Sequence, residues 1–141
     1  MVPPVQTYGH QRLRILVVDD YEDAAWSLSL LLSLHGHEVT IARDGAQAIA
    51  AALHERPHFI LLEISLPGVN GYQVAATLRQ QASCKDTVII AVSVHGGPED
   101  RRRSREAGID HHLLKPVESG VLVELISRPD SRVRLATSGQ D

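Results

Sequence analysis

Aromatic side chains are scarce in this chain: one Trp, one Phe and three Tyr in 141 residues. A core made without them must rest on Ala, Leu and Val. Cysteine is scarcer still. Cys84 stands alone, which excludes an internal disulfide and fits a reducing compartment. No apolar run reaches the roughly 20 residues that cross a bilayer. The opening residues, Met1 to His10, lack the basic start and long apolar centre of a secretory signal. Positive charge is not in excess, for the net charge is −3, and nothing argues for direct contact with nucleic acid. Phosphate-cradling glycine loops are absent too, so a nucleotide ligand is not expected. These absences point to a cytoplasmic protein that meets neither membrane nor nucleic acid directly. The length suits one domain with a proper core.

What is present is a strict alternation of short apolar runs and amphipathic helices. Residues 1–12 read as a flexible arm, with two prolines and no periodicity. Leu13 to Val18 is a short strand stopped by Asp19-Asp20. A helix follows at about Tyr21 to His35, with Ala24, Leu28, Leu31 and Leu32 at helical spacing and Gly36 as its stop. Glu38 to Ala42 is a second strand. Asp44 and Gln47 resemble a capping box, and Ala46, Ile49, Ala50 and Leu53 form the expected inner stripe of the next helix. His58 to Glu63 reads as a strand buried on both faces. Asn70-Gly71 starts a helix that runs to about Ala82, with Val74 and Leu78 inward. Thr87 to Val92 is a fourth strand, closing on Ser93. Gly97-Pro98-Glu99-Asp100 opens a helix that ends at Ala107-Gly108. His111 to Leu114 is a fifth strand, and Glu118 to Ser127 a last helix. Residues 129–141 read as a flexible tail, leaving 13–128 as the globular unit.

Five β-α units predict an α/β, doubly wound, five-stranded parallel sheet with five helices. The flavodoxin-like order 2-1-3-4-5 is the common solution. In that order Asp19, Asp20, Glu63, Ser93 and Lys115 all fall at strand carboxyl ends on one edge, where open α/β sheets bind ligands. Three carboxylates brought together repel one another, and a divalent cation such as Mg²⁺ relieves them. A lysine and a hydroxyl beside them complete a set suited to a phosphoryl group.

The residues Ile15-Leu-Val-Val-Asp-Asp20, Leu61-Leu-Glu-Ile-Ser-Leu-Pro-Gly-Val-Asn-Gly71, Ala91-Val-Ser93 and Leu114-Lys-Pro116 together resemble the receiver domain of bacterial two-component response regulators, the CheY-like family. The resemblance implies that Asp19 and Asp20 belong to an acidic metal pocket with residue 63, and that Ser65 offers its backbone carbonyl to the metal. It implies Ser93 as the switch hydroxyl, Lys115 as the lysine that meets the phosphoryl oxygens, and a cis Lys115-Pro116 bond. It implies a sensor histidine kinase or phosphotransfer protein upstream. Downstream it implies a protein partner at the fourth helix, fifth strand and fifth helix. A receiver of this kind is a signalling module and not an enzyme.

Two positions depart from the family pattern. The phosphoryl acceptor is an aspartate in receivers, and here it is Glu63. The extra methylene carries the carboxylate roughly 1.5 Å further out, and misplacing a reacting group by about 1 Å can cost on the order of 100-fold in rate. The longer side chain can pair with Lys115 and imitate the phosphorylated state in part, with one negative charge in place of about two. Mg²⁺ binding is then weakened by Glu63. The position three before the lysine, usually Tyr or Phe, is His112, a ring that titrates near neutral pH.

The leading expectation is a stand-alone, atypical receiver acting as a phosphorylation-independent or phospho-mimicking adaptor. Its rivals are a conventional phosphoacceptor that uses Glu63, an ordinary regulator with an engineered Asp-to-Glu change at 63, and a receiver module cut from a sensor kinase. Plainer readings stand beside each residue. Asp19 and Asp20 could be a helix cap and a surface acid, Lys115 a surface lysine, and Glu63 a degenerate position. His112 could be a solvated edge residue, and Arg101-Arg-Arg-Ser-Arg105 a solvated helix face in place of a dock for an acidic partner.

Overall fold

The computed structural model describes residues 12–128. The expected arm and tail lie outside these, apart from Arg12. Strands β1 (Arg14–Val18), β2 (Glu38–Ala42), β3 (Phe59–Glu63), β4 (Val88–Ser93) and β5 (His111–Leu114) alternate with helices α1 (Glu22–Leu34), α2 (Gly45–Glu55), α3 (Gly71–Arg79), α4 (Pro98–Ala107) and α5 (Ser119–Ser127). The strands form one parallel sheet in the order β2-β1-β3-β4-β5. This is the flavodoxin-like arrangement expected from the alternation.

Helices on both faces divide the core into two layers. One packs Leu16, Val18, Ile60, Leu62, Ile89 and Ala91 of the sheet against Ala48 and Ala52 of α2 and Val74, Ala75 and Leu78 of α3. The other packs Ile15, Val17, Leu61, Ile90 and Val92 against Ala25 and Leu32 of α1 and Leu122, Leu125 and Ile126 of α5. The two central strands, β3 and β4, are buried along their whole length, as a parallel sheet covered on both faces requires. No helix among the described residues is long and apolar enough to cross a membrane.

Two helices differ from their expected form. On α2 the inner residues are Gly45, Ala48 and Ala52, with Ile49 half-buried, while Ala46, Ala50 and Leu53 face water. Asp44 caps the helix by accepting from Gln47 N at 2.8 Å, which fixes its phase. Packing then selects the small residues, which let the helix lie close to the sheet. The Gln47 side chain returns to Arg43 N (2.9 Å) and not to the cap residue itself. Helix α3 stops at Arg79, short of Ala82, and a single 3₁₀ turn over Ala82–Cys84 follows.

Arg79 explains that stop. Its guanidinium donates to Gly108 O (2.8 Å), Cys84 O (2.9 Å) and Thr87 O (2.8 Å), and pairs with Asp110 at 2.8 Å. Asp110 Oδ2 also accepts from Ile89 N at 2.9 Å. The clamp gathers the starts of β4 and β5 and the turn after α3. Gly108 takes a left-handed φ of 90°, and a Cβ there would lie 2.6 Å from Arg79 Cγ, so both backbone and clamp call for glycine.

Candidate functional site

Three strands end in the same local device. Asp19 Oδ1 accepts from Tyr21 N (2.9 Å), Glu63 Oε2 from Ser65 N (2.9 Å), and Ser93 Oγ from His95 N (3.0 Å). Each side chain thus holds the amide two residues on, a pattern that turns a chain out of regular structure. For the two carboxylates this fixes one oxygen locally and leaves the other facing inward. Those second oxygens meet at Lys115: its Nζ lies 3.1 Å from Asp19 Oδ2 and 2.6 Å from Glu63 Oε1. The Asp19 and Glu63 side chains are only 4% and 9% exposed, so the ammonium is shared by two nearly buried carboxylates. Burial works to lower the Lys115 pKa, but the hydrogen bonds and charges of Glu63 and Asp19 outweigh it and leave it raised.

Lys115 is aimed by its surroundings. Its N–H donates to Ser93 O (2.9 Å), which ties the end of β5 to the end of β4. The Lys115-Pro116 peptide is cis. On the other side of the site α3 starts hard against β3. Gly71 N donates to Ile64 O (2.8 Å), and a Cβ on Gly71 would lie 2.7 Å from both Glu63 O and Ile64 Cα.

The residues expected at this edge do not all converge. Asp19, Glu63 and Lys115 do. Ser93 is fully buried beside them on β4. Asp20 turns to solvent, and its carbonyl accepts from Arg43 Nη2 at 3.1 Å. Ser65 is exposed. Among the described residues no three of His, Cys, Asp or Glu form a group that could hold a metal. The inward oxygens of both buried carboxylates already carry the lysine. As arranged, these residues do not fit a divalent cation.

His112 is neither a solvated edge residue nor an isolated ring. Its Nδ1 lies 2.7 Å from Ser104 Oγ on α4, and its Nε2 lies 2.7 Å from His95 O in the loop after β4. A carbonyl can only accept, so Nε2 carries a proton and donates. The Tyr72 hydroxyl reaches the same helix, donating to Asp100 O at 3.3 Å. Ser104 and Tyr72 were not singled out in the sequence. The one clue is that Ser104 is the only small neutral residue within the arginine run. That run is largely spent on the protein itself. Arg101 donates to Gly96 O (3.0 Å) and His112 O (3.4 Å). Arg102 pairs with Glu99 and Glu106. Arg103 lies 4.2 Å over the Tyr72 ring. Arg101, Arg102 and Arg103 thus all make contacts within the protein.

A family model described as "Response regulator receiver domain" matches residues 15–127. The chain belongs to that family. This receiver is 40% identical over 121 residues to the transcriptional regulatory protein PrrA of Mycobacterium tuberculosis, covering 86% of this chain and 50% of that protein. It therefore spans about half the length of that relative. It is 32% identical over 114 residues to Protein PilH of Pseudomonas aeruginosa, covering 81% of this chain and 94% of that protein. Among solved structures it resembles the receiver domain of the sensor histidine kinase PA1611 of Pseudomonas aeruginosa. The TM-score is 0.77 at 29% identity, covering 84% of this chain and 97% of that one. That domain holds a magnesium ion in its active-site cleft. Receivers of this family are modules of two-component signalling that meet histidine kinases or phosphotransfer proteins.

Proposed function

We propose that this receiver is an atypical signalling or adaptor module whose output is set by the Glu63–Lys115 pair and not by phosphorylation at position 63. One observation carries the reading: Lys115 Nζ sits 2.6 Å from Glu63 Oε1 while Ser65 N–H holds Oε2. Both oxygens of the would-be nucleophile are already hydrogen-bonded, and one is ion-paired in a nearly buried place. Attack on a phosphoryl donor would first have to break that pair. The lysine that receivers turn toward phosphoryl oxygens is here turned toward a side-chain carboxylate, which supplies about half the negative charge of a phosphoryl group.

The ring of His112, held by Ser104 and the His95 carbonyl, supports a switch kept in one arrangement. The partners in this reading are a sensor histidine kinase or phosphotransfer protein upstream and a downstream protein at α4, β5 and α5, in the cytoplasm.

The test is incubation with acetyl phosphate and MgCl2 followed by intact-protein mass measurement. The expected result is no added phosphoryl group. Stoichiometric labelling at residue 63, from acetyl phosphate or from a kinase, would establish a conventional phosphoacceptor instead.

A further inference from the structure

Two buried carboxylates that face each other need a positive charge between them. In this chain that charge is supplied by the protein. We infer that the Lys115 ammonium is the resident cation of the Asp19–Glu63 site, and that the site excludes divalent metal ions. The inference deepens the functional reading above and rests on the same Glu63–Lys115 contact.

Four donor–acceptor contacts carry it. Lys115 Nζ occupies Asp19 Oδ2 and Glu63 Oε1, while the Tyr21 and Ser65 amides occupy Oδ1 and Oε2. An incoming Mg²⁺ would need these oxygens at about 2.0–2.1 Å in near-octahedral array, after a reluctant loss of water. It would also have to displace or approach a like charge. The competitor is tethered to the fold, so it returns to the carboxylates without diffusing in from solution. The length of residue 63 decides the outcome. An aspartate there would draw the carboxylate back by one C–C bond, stretching the 2.6 Å contact to roughly 4 Å. That opening would separate lysine from carboxylate enough for a metal ion to enter.

The experiment uses the full chain. Free Mn²⁺ is counted by electron paramagnetic resonance during titration, and melting is followed with and without about 10 mM MgCl2. The unaltered protein is expected to show no saturable binding and a Tm unmoved by magnesium. Lys115→Met removes the resident cation without adding an acid. It is expected to gain saturable binding of one Mn²⁺ and a Mg²⁺-dependent rise in Tm of roughly 5 °C. Lys115→Arg keeps the charge and should stay metal-free. Saturable binding by the unaltered chain overturns the inference, as does a folded Lys115→Met protein that takes no metal. Should Lys115→Met fail to fold, Glu63→Asp decides: gained binding supports the inference and its absence overturns it. Metal binding without phosphoryl labelling would sink this inference and leave the functional reading standing. Labelling at Glu63 in a chain that refuses metal would do the reverse.

Discussion

Two cations hold opposite edges of the same sheet, and they are held differently. At the amino edge Arg79 makes four hydrogen bonds, to three backbone carbonyls and to Asp110, whose same oxygen also takes a backbone amide. One positive charge faces one negative charge, and most of the guanidinium donors are matched. At the carboxyl edge one ammonium serves two carboxylates, so a net negative charge remains. A charge-matched network stabilises one arrangement and has little reason to change. An under-neutralised one depends on its single tethered cation staying in place. The amino-edge clamp is therefore architecture, and the carboxyl-edge cluster is the less closed of the two networks.

The largest expected effect tests the first half of that contrast. Arg79→Ala should cost about 3–5 kcal/mol, because it strands three carbonyls and an Asp110 side chain that is only 11% exposed. Urea denaturation measures it, and a loss below about 1 kcal/mol would erase the distinction. Lys115→Met should cost less, about 1–3 kcal/mol by the same measurement, since two contacts are lost in place of four and the Tyr21 and Ser65 amides still hold both carboxylates. An equal or greater cost would make the carboxyl edge as structural as the amino edge.

His112→Phe keeps a ring but loses the contacts to Ser104 and to the His95 carbonyl. A loss of about 1–2 kcal/mol is expected, with faster amide exchange in the loop after β4. A site that acts alone would leave that loop unchanged.

The smallest effect concerns alkaline pH. Lys115 has a raised pKa in the folded protein. Its contribution is fully present below the ordinary lysine value of about 10.4 and is lost as pH rises through the folded value. The stability gap between the unaltered chain and Lys115→Met should therefore narrow above about pH 10.5. The gap to Arg79→Ala should hold, because guanidinium groups stay charged across that range.

Much of this was legible in the chain because it depends on period and on strand ends. The strand order followed from the β-α alternation. The approach of Glu63 and Asp19 to Lys115 followed from their places at the ends of β3, β1 and β5. What escaped depends on the phase of one helix or the reach of one side chain. Ala46, Ala50 and Leu53 have helical spacing as good as that of Ala48 and Ala52. Only the cap at Asp44 and the closeness of the sheet choose between them. Asp20 follows Asp19 directly, yet a turn that uses Asp19 Oδ1 sends its neighbour outward. Arg79 looks like any helix-end arginine, because its four acceptors lie 5 to 31 residues further along. No local pattern reports partners at such separations.

The tight start of α3 has one more consequence. With Gly71 packed so close that an added Cβ would lie 2.7 Å from the carbonyl of Glu63, the main chain at position 63 has a backstop and little room to recoil from a longer side chain. Every added bond at that residue is delivered forward, into the hollow where Lys115 stands. The glycine thus turns a difference of one methylene into a difference of ionic contact, much as a fixed stop makes a gauge read length.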